Sequence, residues 1–352
     1  MENPGRPFGA KLYSEVLSEG IKYIDRRRSG AIKSLQTPWP SLNLAGVGGI
    51  EWNSLVTVGA RPGAGKTMFV SQILKEARVL NPTQQFNILE FQFEMGEKQA
   101  ASRAFAAEMA LDYNEILSTT KQLDDFTFKR LKQFKEDTYQ LERQGITRMV
   151  ISTPLTHSDI EKAIYHYYGN MTTDINPMIV TIDHSWLIKK DFAEKEKLNT
   201  LYNTVEMLMR VKNNLPIIVL MITQLNRSID EPSRKTPGSV ANYPTSSDVF
   251  GGDALQQGSD MVVVLNRPFK ADIPIYGPKE FECKTDDIFV HILKSRNGSE
   301  DINLVFLKAD FKKQKMFECA PPKSNNPMGR FIPRRAGGNG RQRPIESADI
   351  EV

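Results

Sequence analysis

At 352 residues and 40% hydrophobic content, the chain is longer than one minimal domain, shorter than three, and able to bury a substantial core. Its two cysteines, Cys283 and Cys319, exclude a disulfide framework and a cysteine-built zinc site, and no run approaches the ~20 apolar residues of a membrane span. A net charge of +4 permits a polyanionic partner and is just as ordinary for a housekeeping enzyme.

Residues 1–10, with two prolines and two glycines, read as a loose arm. Leu12, Val16, Ile21 and Ile24 stand near helical spacing and predict an amphipathic helix over 11–28. The stretch 29–53, broken by Pro and Gly, reads as an extended connector. From residue 54 strand and helix patterns alternate. Strands are expected at 54–60, 86–93, 148–153, 178–188 and 216–224, and helices at 65–80, 96–110, 113–145, 157–168 and 197–214. Apolar strands separated by helices predict a mostly parallel sheet covered on both faces. Three later strands (261–268, 288–295 and 303–310), with no helix between them, predict antiparallel additions at one edge. Residues 321–352 set six basic residues among Pro, Gly, Asn and Ser and read as a disordered tail, either merely solvated or an arm for nucleic acid or a partner.

The sharpest local signal is Ala60-Arg61-Pro62-Gly63-Ala64-Gly65-Lys66-Thr67, which fits G-x-x-x-x-G-K-[ST] with alanine in the first position. Inward-pointing amides that cradle phosphates require small residues, and the helix opening at Gly65-Lys66-Thr67-Met68 aims its positive end at the nucleotide. Lys66 is placed to reach the β- and γ-phosphates of ATP, and Thr67 to hold Mg²⁺. A second acid on the metal side belongs at the end of a nearby apolar strand, where Asp183 closes Met178-Ile179-Val180-Thr181-Ile182. Glu94, ending Phe91-Gln92-Phe93, is the candidate base for orienting water, and Gln224, ending Met221-Ile222-Thr223, the candidate γ-phosphate sensor.

Taken together, 60–67, FQFEMGEKQAASR (91–103), MIVTIDHSWLI (178–188) and ITQLNRSID (222–230) resemble the motor domain of DnaB-type replicative helicases. The likeness extends through SSDVFGGDALQQGSDMVVVLNR (246–267) and LKSRNGSEDINLVFL (293–307). It implies a RecA-like phosphate-loop NTPase fold over 31–320, preceded by an arm and linker helix (1–30). Glu94 looks like the family's catalytic glutamate, Asp183 like its Walker B aspartate and Gln224 like its sensor. Lys294 and Arg296 look like the pair that reaches a neighbouring subunit's ATP. The resemblance also implies a hexameric ring on single-stranded DNA, 5′ to 3′ movement, contacts with a primase or loader, and a cytoplasmic location. The family's DNA-facing loop falls on Phe250, Gly251, Gly252 and Asp253. Phe250 replaces a common arginine and Asp253 a glycine, which exchanges a phosphate contact for a ring that can stack or pack. Few residues precede the first strand, an architecture resembling a phage-encoded form without the family's N-terminal domain. The competing expectations are a RecA/RadA-like recombinase or clock-type ATPase, and a non-motor ring subunit or loader.

Overall fold

The computed structural model describes residues 9–170, 177–192, 194–299 and 301–329. Chain order is α1 (Tyr13–Arg28), α2 (Pro40–Ala45), β1 (Ser54–Ala60), α3 (Lys66–Leu80), β2 (Asn87–Gln92), α4 (Glu97–Met109), α5 (Tyr113–Ile116), α6 (Asp125–Arg143) and β3 (Arg148–Ile151). Then follow α7 (His157–Asn170), β4 (Met178–Asp183), α8 (Lys197–Asn214), β5 (Ile217–Gln224), α9 (Gly252–Gly258), β6 (Met261–Asn266), β7 (Ile275–Tyr276), β8 (Phe281–Glu282), β9 (Asp287–Ser295), β10 (Leu304–Asp310) and β11 (Lys315–Glu318). No helix among the described residues is long and apolar enough to cross a membrane.

A nine-stranded sheet in the order β11-β10-β9-β6-β1-β5-β4-β2-β3 organises the molecule. The six strands from β6 to β3 are parallel, and β9, β10 and β11 add antiparallel at one edge. The late strand at 261–266 therefore belongs to the parallel set, since the helix α9 lies before it and brings the chain back in the same direction. β1 and β4 are buried along their whole length, and β5 up to its last residue, as strands covered on both faces must be. One face packs α2 and α3 through Leu42, Phe69, Ile73 and Ala77; the other packs α7, α8 and α9 through Ile160, Leu201, Val205 and Leu255.

Several segments differ from their expected form. The connector 29–53 is part of the core: Leu35 bridges Ile50, α2 opens with Pro40 in its first turn, and buried Trp39 stacks on Phe69 with centroids 4.2 Å apart. The segment 113–145 divides into α5 and α6, the second opened by Asp124 accepting from the Thr127 amide. The strand expected to 188 ends at Asp183, where Ser185–Leu187 turn in a 3-10 segment. Residues 321–329, counted with the tail, are held against β8: Ser324 bridges Phe281, and the Glu282 amide donates to Lys323 O at 2.9 Å. The rest of that tail, like the arm before residue 9, lies outside the described residues.

α1 takes its predicted place, but none of its residues is buried, and Leu12, Val16, Ile21 and Ile24 are all exposed. Its C-terminal end is tied down by Arg27, which pairs with Glu51 at 3.3 Å and donates to Val47 O.

Candidate functional site

β1 sits between β5 and β6, and the chain leaving its carboxyl end crosses over β5 and β4 to form β2. Ligands bind in such a crevice at the carboxyl edge of an α/β sheet. The phosphate loop, 60–67, fills this position. Gly65 adopts φ +97° and caps α3, and a Cβ there would stand 2.7 Å from Met316 Cε; Gly63 adopts φ +74° with Lys270 Nζ in the space a Cβ would take. The amides of Lys66, Thr67 and Met68 occupy the first turn of α3, where intrahelical acceptors are lacking, while the Met68 side chain is buried below. Ala60 is buried, and its carbonyl accepts from Lys66 Nζ at 3.1 Å.

Strand register assembles the other groups. Ala60 pairs with Gln224, and Gln92 with Asp183, so the ends of β1, β5, β4 and β2 form one row. Thr67 Oγ1 donates to Asp183 Oδ2 at 2.8 Å, and Asp183 Oδ1 is buried with no hydrogen-bond partner among the described residues. Burial pushes the Asp183 carboxyl up to about 6, with Glu94 adding to the rise and the Thr67 hydrogen bond and the Lys66 and Arg103 charges opposing it. The Lys66 ammonium is pulled below its ordinary value by burial, against the attraction of Asp183 and Glu94. A hydroxyl and a buried carboxylate with one free oxygen suit a hard cation that keeps other ligands from phosphate and water, so Thr67 and Asp183 fit Mg²⁺.

Glu94 stands at the mouth, largely exposed, 3.9 Å from His184 Nε2; the same nitrogen lies 3.4 Å from Gln224 Nε2. The structure thus brings together Lys66, Thr67, Asp183, Glu94 and Gln224. Gln224 is also linked to the loop proposed for DNA, because its carbonyl accepts from the Phe250 amide at 3.0 Å. Gly251 (φ +70°) packs on α8, where a Cβ would stand 2.1 Å from Leu201 Cδ2, and Gly252 packs against Ser246 O; Asp253 alone of the four is exposed.

Lys294 and Arg296 lie elsewhere. β9 runs antiparallel to β6, so its end returns to the amino edge of the sheet. The Arg296 amide donates to Asp260 O, and the Asp260 amide to Leu55 O, which sets Arg296 level with Leu55, five residues before Ala60. At about 3.3 Å per residue, that is roughly 17 Å below the phosphate loop along the strand axis alone. The Arg296 guanidinium pairs with Asp260 at 3.0 Å and donates to Gln257 O, and Lys294 Nζ donates to the carbonyls of Gln256 and Gln257.

Contacts that no motif spells out complete the surrounding framework. Arg61 pairs with Asp230 at 2.6 Å and donates to Leu225 O, tying the phosphate loop to the segment after β5. Arg267 donates to Gly63 O and Lys270 to Pro62 O, and the Arg267 guanidinium covers the Phe311 ring at 3.9 Å. His184 falls inside the segment 178–188, and only its place beside Asp183 marks it there.

Sheet order, phosphate loop and strand-end carboxylate together define a RecA-like phosphate-loop NTPase fold. The pattern described as the DnaB-like helicase C terminal domain matches residues 34–315, and the chain belongs to that family. It is 22% identical over 262 residues to the replicative DNA helicase DnaB of Buchnera aphidicola subsp. Schizaphis graminum, covering 74% of this chain and 52% of that protein. The DnaB of Helicobacter pylori strain J99 is 23% identical over 304 residues, covering 86% of this chain and 56% of that protein. The chain thus spans about half the length of these curated relatives. Among solved structures, the "ATPase Domain of G40P" superposes with a TM-score of 0.69 at 19% identity, over 88% of this chain and all of that one. A DnaB-like replicative helicase studied with primase gives 0.66 at 17% identity, over 87% of this chain and 66% of that one.

Proposed function

We propose that the chain is an ATP-dependent, ring-forming replicative DNA helicase that moves along single-stranded DNA, 5′ to 3′, and separates duplex ahead of it. The observation that carries this reading is the division of the chemistry between two edges of the sheet. Lys66, Thr67, Asp183, Glu94 and Gln224 line the carboxyl edge, whereas Lys294 and Arg296 stand at the amino edge. No rotation of a side chain crosses that distance, so the cationic pair serves a triphosphate only on an adjoining copy. A ring, expected to be a hexamer, places one edge against the other at every seam.

Within a seam the loop amides and Lys66 hold the phosphates of ATP. Thr67 and Asp183 would hold Mg²⁺, which would supply neutralisation of the phosphoryl oxygens. Glu94 orients the attacking water, and Arg296 of the neighbour, with Lys294, stabilises the charge developing on the transferred group. Gln224 faces the γ-phosphate from the end of β5. Its backbone carbonyl holds the Phe250 amide, so movement at the strand end reaches the loop at Phe250–Asp253 through one hydrogen bond. The relative studied with primase makes primase, alongside a loader, a reasonable partner to test.

The direct test is strand displacement on forks tailed at 5′ or 3′, with ATP, and particle images of the same sample. Displacement from the 5′-tailed fork by ring-shaped particles supports the reading. Filaments that pair strands without displacing them would point to the recombinase alternative, and absence of DNA-stimulated hydrolysis to a non-motor subunit.

A further inference from the structure

The carboxyl edge carries an aromatic feature that the nucleotide site does not use. Trp186 stands in the 3-10 turn just after Asp183 and is 44% exposed, whereas Trp39 is buried and Trp52 partly so. Its ring meets Phe250 edge to face, with centroids 4.5 Å apart and planes at 81°. Phe250 packs on the core below and is pinned by its amide bond to Gln224 O. At the next residue, Gly251, an added Cβ would stand 2.1 Å from Leu201 Cδ2, so this backbone packs closely on α8. The indole therefore rests on a fixed support instead of swinging on a free loop. Cations border it: Lys197 Nζ, half-buried and donating to Ile188 O, lies 5.8 Å from the ring centroid, and Lys189 and Lys190 follow on the same segment with exposed side chains, Lys190 Nζ donating to Lys195 O at 3.0 Å.

Grooves that hold single-stranded nucleic acid combine flat aromatic faces, on which bases of any sequence stack, with ammonium or guanidinium groups along the backbone. Those are the groups assembled here, at the edge shared by the segments that follow β4 and β5. An indole serving only to close the core would be expected to sink further into it.

We propose that Trp186, seated on Phe250, is a stacking contact for unpaired nucleobases of single-stranded DNA, with Lys189 and Lys190 facing the neighbouring phosphates. This rests on the reading of the chain as a protein that travels on single-stranded DNA, and it gives the aromatic residue at 250 a task that a phosphate-binding arginine would not perform.

The test uses the full chain, an oligothymidine strand and an abasic strand of equal length. Oligothymidine is expected to quench tryptophan fluorescence, and Trp186→Phe to remove the quench while losing less than about fivefold in affinity. Trp186→Ala, with an unchanged thermal midpoint, is expected to bind oligothymidine between about five- and hundredfold more weakly. The abasic strand should bind wild type and Trp186→Ala alike, without quenching. Equal affinity of wild type for the two strands, or a quench that survives Trp186→Phe, overturns the stacking contact while leaving DNA binding intact. Loss of assembly in DNA-free Trp186→Ala assigns the ring to a seam between subunits and overturns it as well. Failure of oligothymidine to bind wild type removes the translocation reading, and this contact with it.

Discussion

Two carboxylates of the site live in contrasting surroundings. Asp183 is buried and hydrogen-bonded to Thr67, whereas Glu94 stands exposed beside His184. On the proposed roles, Glu94→Gln is expected to abolish turnover and keep ATP binding, because the amide retains the shape of the mouth but cannot accept a proton. Lys66→Ala is expected to abolish turnover as well. Near-normal hydrolysis by the glutamine variant would remove Glu94 as the base. A second expectation concerns His291, fully enclosed in β9, where its Nε2 lies 2.8 Å from Tyr276 Oη. Burial depresses its proton affinity to about 3, so the folded chain keeps it neutral while the unfolded chain protonates it below its usual value of about 6.5. Its contribution to stability is complete above pH ~6.5 and is lost as pH falls toward 3, at up to about 1.4 kcal/mol per pH unit. Denaturant titrations from pH 7 to 4 should show a shallower decline for His291→Gln than for the wild type.

Among the elements, β5 explains how the site is strung together. It lies between β1 and β4, so its last residue, Gln224, falls between the phosphate loop and Asp183. The strand–loop–helix at 54–80 was readable because apolar period, glycine positions and the lysine-threonine pair agree with one another. Asp183 and Glu94 were readable for a similar reason, as acids closing apolar strands. The pairing of strands was not: β11 is four residues with one buried side chain, Met316, and its register depends on Trp39 and α3, which are far away in sequence. The connector misled because Pro and Gly at 38–49 suggest turns, while Trp39 contributes one of the largest buried side chains of the core. The role of Gly251 also emerges only from tertiary packing. Gly251→Ala combines a positive φ with a Cβ against Leu201, and is expected to cost roughly 1–3 kcal/mol in a chemical denaturation curve. A variant as stable as wild type would show that the loop relaxes without strain.

For the whole molecule, the sheet separates the phosphate loop from Lys294 and Arg296 by the length of its strands. On the proposed reading, Arg296→Ala leaves nucleotide affinity near normal and lowers hydrolysis by ~10³-fold or more, as loss of an arginine finger does. Mixing it with Lys66→Ala subunits should recover part of the activity, since some seams then join an intact loop to an intact arginine. No recovery at any ratio would argue against action across the interface.

That separation has a kinetic corollary. On the proposed reading, a solitary chain possesses the receptacle for the triphosphate but not the cation that triggers its cleavage, and is expected to idle. Turnover per chain should therefore climb with protein concentration and level off once rings are complete, which would keep unassembled subunits from exhausting the nucleotide supply away from a DNA track.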